Sequence, residues 1–162
     1  MSSIFSLFNI LAILYIIRSA QLGITIWREW PDLKSEPLTP HKKSLANQAS
    51  FFIVIPIAVF VHEAAHALAV ILAGGEVVEF NYRVFWGNVV HQGTYTPVQL
   101  WLIAIAGTLG SLLVGLAFWL LTRHSQSSFL RYFGLRAVRF QIYFSLIYYP
   151  LLSRKLVSER ET

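Results

Sequence analysis

Apolar residues run almost unbroken through four stretches of the chain. The first, Ile4 to Trp27, would reach roughly 36 Å as a helix, enough to cross a hydrocarbon core of about 30 Å with some tilt. Arg18 interrupts it and reads as a snorkelling or helix-paired arginine. The second runs from Asn47 to Leu72. Pro56 removes one backbone bond inside it, which predicts a bend near residues 52–56. Gly74-Gly75 ends it. The third, Val98 to Leu121, is the cleanest span. Gly107, Ser111 and Gly115 recur in it every four residues, and Ala65, Ala69 and Ala73 form a similar stripe on the second. Such stripes let helices approach closely, so these two are expected to pack together. The fourth lies within Phe129 to Leu152. Arg131, Arg136 and Arg139 crowd its start, and the apolar remainder, "FQIYFSLIYYPLL", is short for a full span.

Two interruptions carry patterns of their own. In "REWPDLKSEPLTPHKK", Pro31, Pro37 and Pro40 predict a non-helical loop. From Glu76 to Tyr95 the period changes. Val78, Phe80, Tyr82, Val84 and Trp86 are apolar at alternate positions, with Glu79, Asn81 and Arg83 between them, which is strand periodicity. Gly87-Asn88 predicts a two-residue turn, and "VVHQGTY" the returning strand. The expected fold is an all-α membrane protein of about four transmembrane helices, near 4–27, 47–72, 98–121 and 129–152. A short β-hairpin, 76–95, joins the second to the third, and residues 1–162 form a single integral membrane domain. No repeat of solenoid period is present.

Composition agrees with this pattern. Hydrophobic residues make up 56% of the 162 and charged residues only 13%, against about 25% in ordinary soluble domains. With no cysteine, disulfides, iron–sulfur clusters, Cys-rich zinc sites and thiol nucleophiles are excluded. The net charge of +5 resides between and after the apolar segments, which points to anionic lipid rather than nucleic acid. Its distribution predicts that the loop before Lys43 and the region after Leu121 share one side of the membrane, with the hairpin and both termini on the other. The N-terminal stretch lacks a basic n-region and reads as an uncleaved membrane helix.

Within the second span stands "HEAAH". His62, Glu63 and His66 are the only ionisable residues between Lys43 and Glu76. A charged group at the centre of a span costs about 2.5–3.5 kcal/mol on insertion scales. A bound cation offsets that cost. Four residues apart on a helix, His62 and His66 share a face and can offer two imidazole nitrogens to one Zn2+. Glu63 borders that face and can act as general base toward a water activated by the metal. Two other readings use the same residues: a polar cluster bonding helix to helix, and a path for protons or ions. At about 15 Å along the helix from Phe51, a hydrolytic site needs a water-filled pocket, for which the hairpin and the close helix packing can supply walls.

"HEAAHALAVILAGG", the hairpin after it and "AGTLGSLLVGL" resemble the site-2 protease family of intramembrane zinc metalloproteases over roughly residues 45–153. The resemblance implies an H-E-x-x-H helix, a membrane-associated β element, a later helix with a pattern like A-G-P-x-x-N, and an aspartate as third zinc ligand. Ala106 and Gly107 match the second pattern, with Thr108 in place of proline and Ser111 in place of asparagine. "LIYYPLLS" resembles the segment near the third ligand, but no aspartate follows it, and the sole aspartate, Asp32, precedes the motif helix. Glu159 and His91 are candidate substitutes. His41 and His124 read as interfacial residues. Glu76 and Glu79 would suit a soluble gluzincin-like arrangement, which the membrane pattern disfavours. Ala69 and Leu72 stand where metzincins need glycine and histidine. The chain is therefore truncated, uses a substitute ligand or is an inactive relative. The function expected is an intramembrane zinc metalloendopeptidase with Glu63 catalytic, His62 and His66 as metal ligands, and a membrane protein as substrate. The alternative is a catalytically inactive scaffold or substrate-binding protein of related fold. The expected location is a bacterial cell membrane, and no nucleic-acid partner is expected.

Overall fold

The computed structural model describes residues 2–148. In chain order these form α1 (Ser2–Lys34), α2 (Pro40–Phe52), α3 (Val54–Leu72), β1 (Glu76–Arg83), β2 (Trp86–Gln92), α4 (Pro97–Thr122) and α5 (Ser128–Tyr143), followed by a π-helical turn, Phe144–Tyr148. Among the described residues, three helical stretches are long and apolar enough to cross a membrane: Asn9–Arg28, Pro40–Leu72 and Pro97–Thr122. With the apolar pattern and the two-stranded hairpin, they make this a mostly helical membrane protein.

Two expectations change in detail, and a third lies partly outside the described residues. The fourth span, near 129–152, is not among the three among the described residues; its end lies outside them. Sixteen residues of α5 reach only about 24 Å, and Arg131, Arg136, Arg139 and the buried Gln141 make that helix amphipathic. The loop expected from Pro31 is helical instead, because α1 continues through Pro31 to Lys34. Lys42 supports that end. Its buried ammonium donates to the carbonyls of Asp32 (2.6 Å) and Ser35 (2.8 Å) at and just beyond the last turn of α1. The hairpin turn lies at Val84-Phe85 rather than Gly87-Asn88, since Arg83 pairs with Trp86 and Tyr82 with Gly87. Val84 accordingly takes a positive φ of 55°, unusual for a β-branched residue.

Near 52–56, where a bend is expected, the helix is interrupted: α2 ends at Phe52 and α3 starts at Val54. Pro56 has no N–H for the carbonyl of Phe52. That carbonyl instead accepts from Ser19 Oγ at 2.9 Å, and the neighbouring Phe51 carbonyl accepts from Tyr15 Oη at 2.6 Å. Thus α1 satisfies backbone groups that lipid could not. At its other end α3 closes in a Schellman motif. Gly75 N donates to Val70 O and Gly74 N to Ile71 O, both at 3.0 Å, with Gly74 at φ 82°.

The hairpin does not project away but lies back along α3. Phe80 and Tyr82 both pack edge-on against Phe60, and Tyr82 Oη donates to the Pro56 carbonyl at 3.1 Å. Helix α4 opens with Pro97 behind a Thr96–Gln99 capping box, and Gln99 Nε2 reaches the Ala73 carbonyl at the end of α3 (3.2 Å). The predicted α3–α4 contact is close. A Cβ on Gly110 would sit 3.0 Å from Ala65 Cβ and from the Val61 carbonyl. The stripe on α4 divides, however: Gly115 faces Gln141 and Val138 of α5. At the end away from the hairpin, the loops before α2 and before α5 meet. Glu36 accepts from the Ser128 amide and hydroxyl, and Ser127 Oγ donates to the Leu33 carbonyl.

Candidate active site

Helix α3 carries the polar trio, and two neighbours divide it. His62 and His66 turn toward α4. Their Nε2 atoms lie 3.1 Å apart, and both crowd the space where Gly107 has no side chain; a Cβ there would stand 2.5 Å from His62 Nε2. Glu63 turns toward the hairpin, where a Cβ on Gly87 would stand 2.5 Å from its Cγ. His62 and Glu63 are only 7% and 6% exposed.

The outer nitrogens are held. His66 Nδ1 lies 2.6 Å from the Ile103 carbonyl. A carbonyl can only accept, so Nδ1 carries the proton and Nε2 presents its lone pair inward. His62 Nδ1 lies 3.0 Å from Ser111 Oγ. A hydroxyl can donate or accept, so Ser111 suits either tautomer of His62. Outer hydrogen bonds of this kind orient imidazoles for metal binding.

The residues fit a zinc ion. Two ligands at about 2.0–2.1 Å from a tetrahedral centre stand roughly 3.3 Å apart, close to the 3.1 Å between the imidazole nitrogens. With His62 protonated at Nε2 the two nitrogens share a hydrogen bond; with its proton on Nδ1 toward Ser111, both lone pairs face a point that one ion can occupy. No group of three His, Cys, Asp or Glu side chains gathers at one point among the described residues. Asp32 lies at the far end, beside Lys42. Glu159 and the end of "LIYYPLLS" lie outside the described residues.

A cavity of about 340 Å3 opens beside the trio, lined by Glu63 and His66 from α3, Gly87, Asn88, Val89 and His91 from β2, and Leu100, Ile103 and Ala104 from α4. These are the walls that the hairpin and the helix packing were expected to supply. A family model described as Peptidase M50B-like matches residues 45–153. The chain belongs to that family. The resemblance to site-2 proteases drawn from the motifs is therefore borne out, and the match takes in the α3 trio, the hairpin and Gly107 of α4 but not α1. Neither a curated protein nor a solved structure matches the chain.

The sequence singled out His62, Glu63 and His66, and the structure brings them to one place. Of the remaining histidines, His91 lines the same cavity, while His41 pairs with Glu29 at 2.7 Å at the opposite end. Gly87 was read as a turn residue; its use is close approach by Glu63. A glycine inside an alternating strand pattern was the available signal. Tyr95, which contacts His91, had no signal beyond its place at the hairpin's end.

Proposed function

We propose that this chain is an intramembrane zinc metalloendopeptidase acting on membrane-spanning segments of other proteins. The observation that carries this reading is the pair of imidazole nitrogens 3.1 Å apart over Gly107, with Glu63 beside them at a cavity that β2 lines. His62 and His66 would hold the ion. Zinc, when bound, supplies Lewis-acid polarisation of the scissile carbonyl and makes water acidic enough to attack near neutral pH. Glu63 takes the proton from the attacking water and delivers it to the leaving amide nitrogen.

A helical substrate hides its peptide bonds, so it must unwind locally. Among the described residues the sheet has two strands, so an edge of β2 can pair with an extended segment. An open strand edge is costly in lipid and tolerable where it borders a wet cavity. The bilayer is the reaction medium, and the proposed location is a bacterial cell membrane. Glu63→Gln should abolish cleavage of a transmembrane substrate while the purified protein keeps stoichiometric zinc. Undiminished cleavage by that variant, with contaminating proteases excluded, defeats the proposal.

One observation favours a second reading, an inactive scaffold or substrate-binding protein: no third metal donor joins the histidine pair among the described residues. Absence of zinc from purified protein, together with full biological activity of His62→Ala, selects it.

A further inference from the structure

His91 lines the cavity from β2, on the same face of the strand as Gly87 and Val89. Its ring is held from one side. His91 Nδ1 lies 3.1 Å from Tyr95 Oη, and the Tyr95 hydroxyl donates to the Gln92 carbonyl at 2.9 Å. The single hydroxyl hydrogen is used on that carbonyl. Tyr95 Oη must therefore accept from His91, so Nδ1 carries the proton and Nε2 is the ring's acceptor. Tyr95 is itself seated by two glycines. A Cβ on Gly93 would lie 2.8 Å from its ring and hydroxyl, and one on Gly75 would overlap the hydroxyl. The end of α3, the end of β2 and Tyr95 together fix one imidazole in one tautomer.

We propose that His91 is a peptide-binding residue: Nε2 accepts a hydrogen bond from a main-chain N–H of an extended segment lying in the cavity, and Tyr95 is its positioning residue. This rests on the protease reading for the kind of ligand. A segment unwound below the membrane surface exposes N–H groups, and only alternate ones can face a single strand edge. Those that turn away need an acceptor where water is scarce. A neutral imidazole with its lone pair committed by Tyr95 is such an acceptor. Among the described residues His91 does not complete a group of three with His62 and His66, so the proposal gives its Nε2 to the peptide.

Binding can be read without turnover in full-length Glu63→Gln protein. The probe is a synthetic apolar transmembrane peptide with a central Gly-Pro break, and a series of the same peptide N-methylated at one amide at a time. Methylation at one position should weaken binding by roughly five- to tenfold, the loss of one good hydrogen bond. In Glu63→Gln with His91→Ala, that methylation should make no difference, and His91→Ala alone should keep the zinc of the parent protein. Should His91→Ala fail to fold, Tyr95→Phe carries the test. It keeps the ring but removes its Nδ1 partner, and should reduce the sensitivity to methylation. Equal responses of parent and variant to every peptide, no binding of any peptide, or loss of zinc from His91→Ala overturns the proposal. Wild-type protein without zinc or cleavage, but with the methylation effect coupled to His91, removes the protease reading and leaves the binding role standing.

Discussion

Gly107 leaves a gap on α4, and two imidazoles use it. The Cβ of even the smallest replacement would meet both Nε2 atoms, so Gly107→Ala should displace the rings and sharply lower zinc affinity. Equilibrium dialysis against zinc checks this; unchanged affinity would show that the pair does not bind the ion from this side. At this scale the sequence was most informative. Three polar residues in an apolar helix carry a cost that demands a reason, and the i, i+4 spacing predicted that the two imidazoles share one place, as they do. The partners of the trio were not legible. That Ser111 and the Ile103 carbonyl hold the imidazoles depends on how α4 is rotated against α3, which no local pattern encodes.

The α2–α3 break is an element made by two helices. Pro56 removes a donor, and Ser19 and Tyr15 supply substitutes from α1. Hydrogen bonds between membrane helices are worth about 0.6 kcal/mol on average and up to about 1.7. Ser19→Ala and Tyr15→Phe should each destabilise the protein by about that much. Unfolding in mixed detergent with denaturant measures it, and no loss in either variant would show that water satisfies these carbonyls instead. A bend there was predicted from Pro56 alone, but Pro31 misled, because its neighbours in α1 outweigh one missing donor and Lys42 supports the helix end. The hairpin was legible as alternation, and its turn was not. Gly-Asn at positions 87–88 favours a turn locally, yet packing of Phe80 and Tyr82 on Phe60 sets the register and moves the turn to Val84-Phe85.

Across the whole molecule, the end away from the hairpin is tied by Glu36. Its carboxylate accepts from the Ser128 hydroxyl and amide, and these bonds lower its pKa below the ordinary carboxylate value. A carboxylate whose pKa is lower folded than unfolded stabilises the fold at pH above its unfolded value. The contribution fades as pH falls through the folded-state value. Thermal unfolding of wild-type protein should therefore show a loss on acidification that Glu36→Gln lacks. Parallel pH profiles for the two proteins would remove Glu36 from the account. The meeting of these two loops fits the charge pattern, which set both on one side of the membrane. Three spans visible in hydropathy are present, whereas the fourth extends beyond the described residues, and its arginines read alike in one dimension whether they snorkel or make a helix amphipathic.

Helix α3 shows its histidines to α4 and its glutamate to the hairpin. On the protease reading, ion retention and hydrolysis are thus separable traits, each vulnerable to lesions in a different neighbour. A descendant could lose its grip on the base through one bulky residue at Gly87 and still carry its cation, a dead enzyme that metal analysis alone would score as alive.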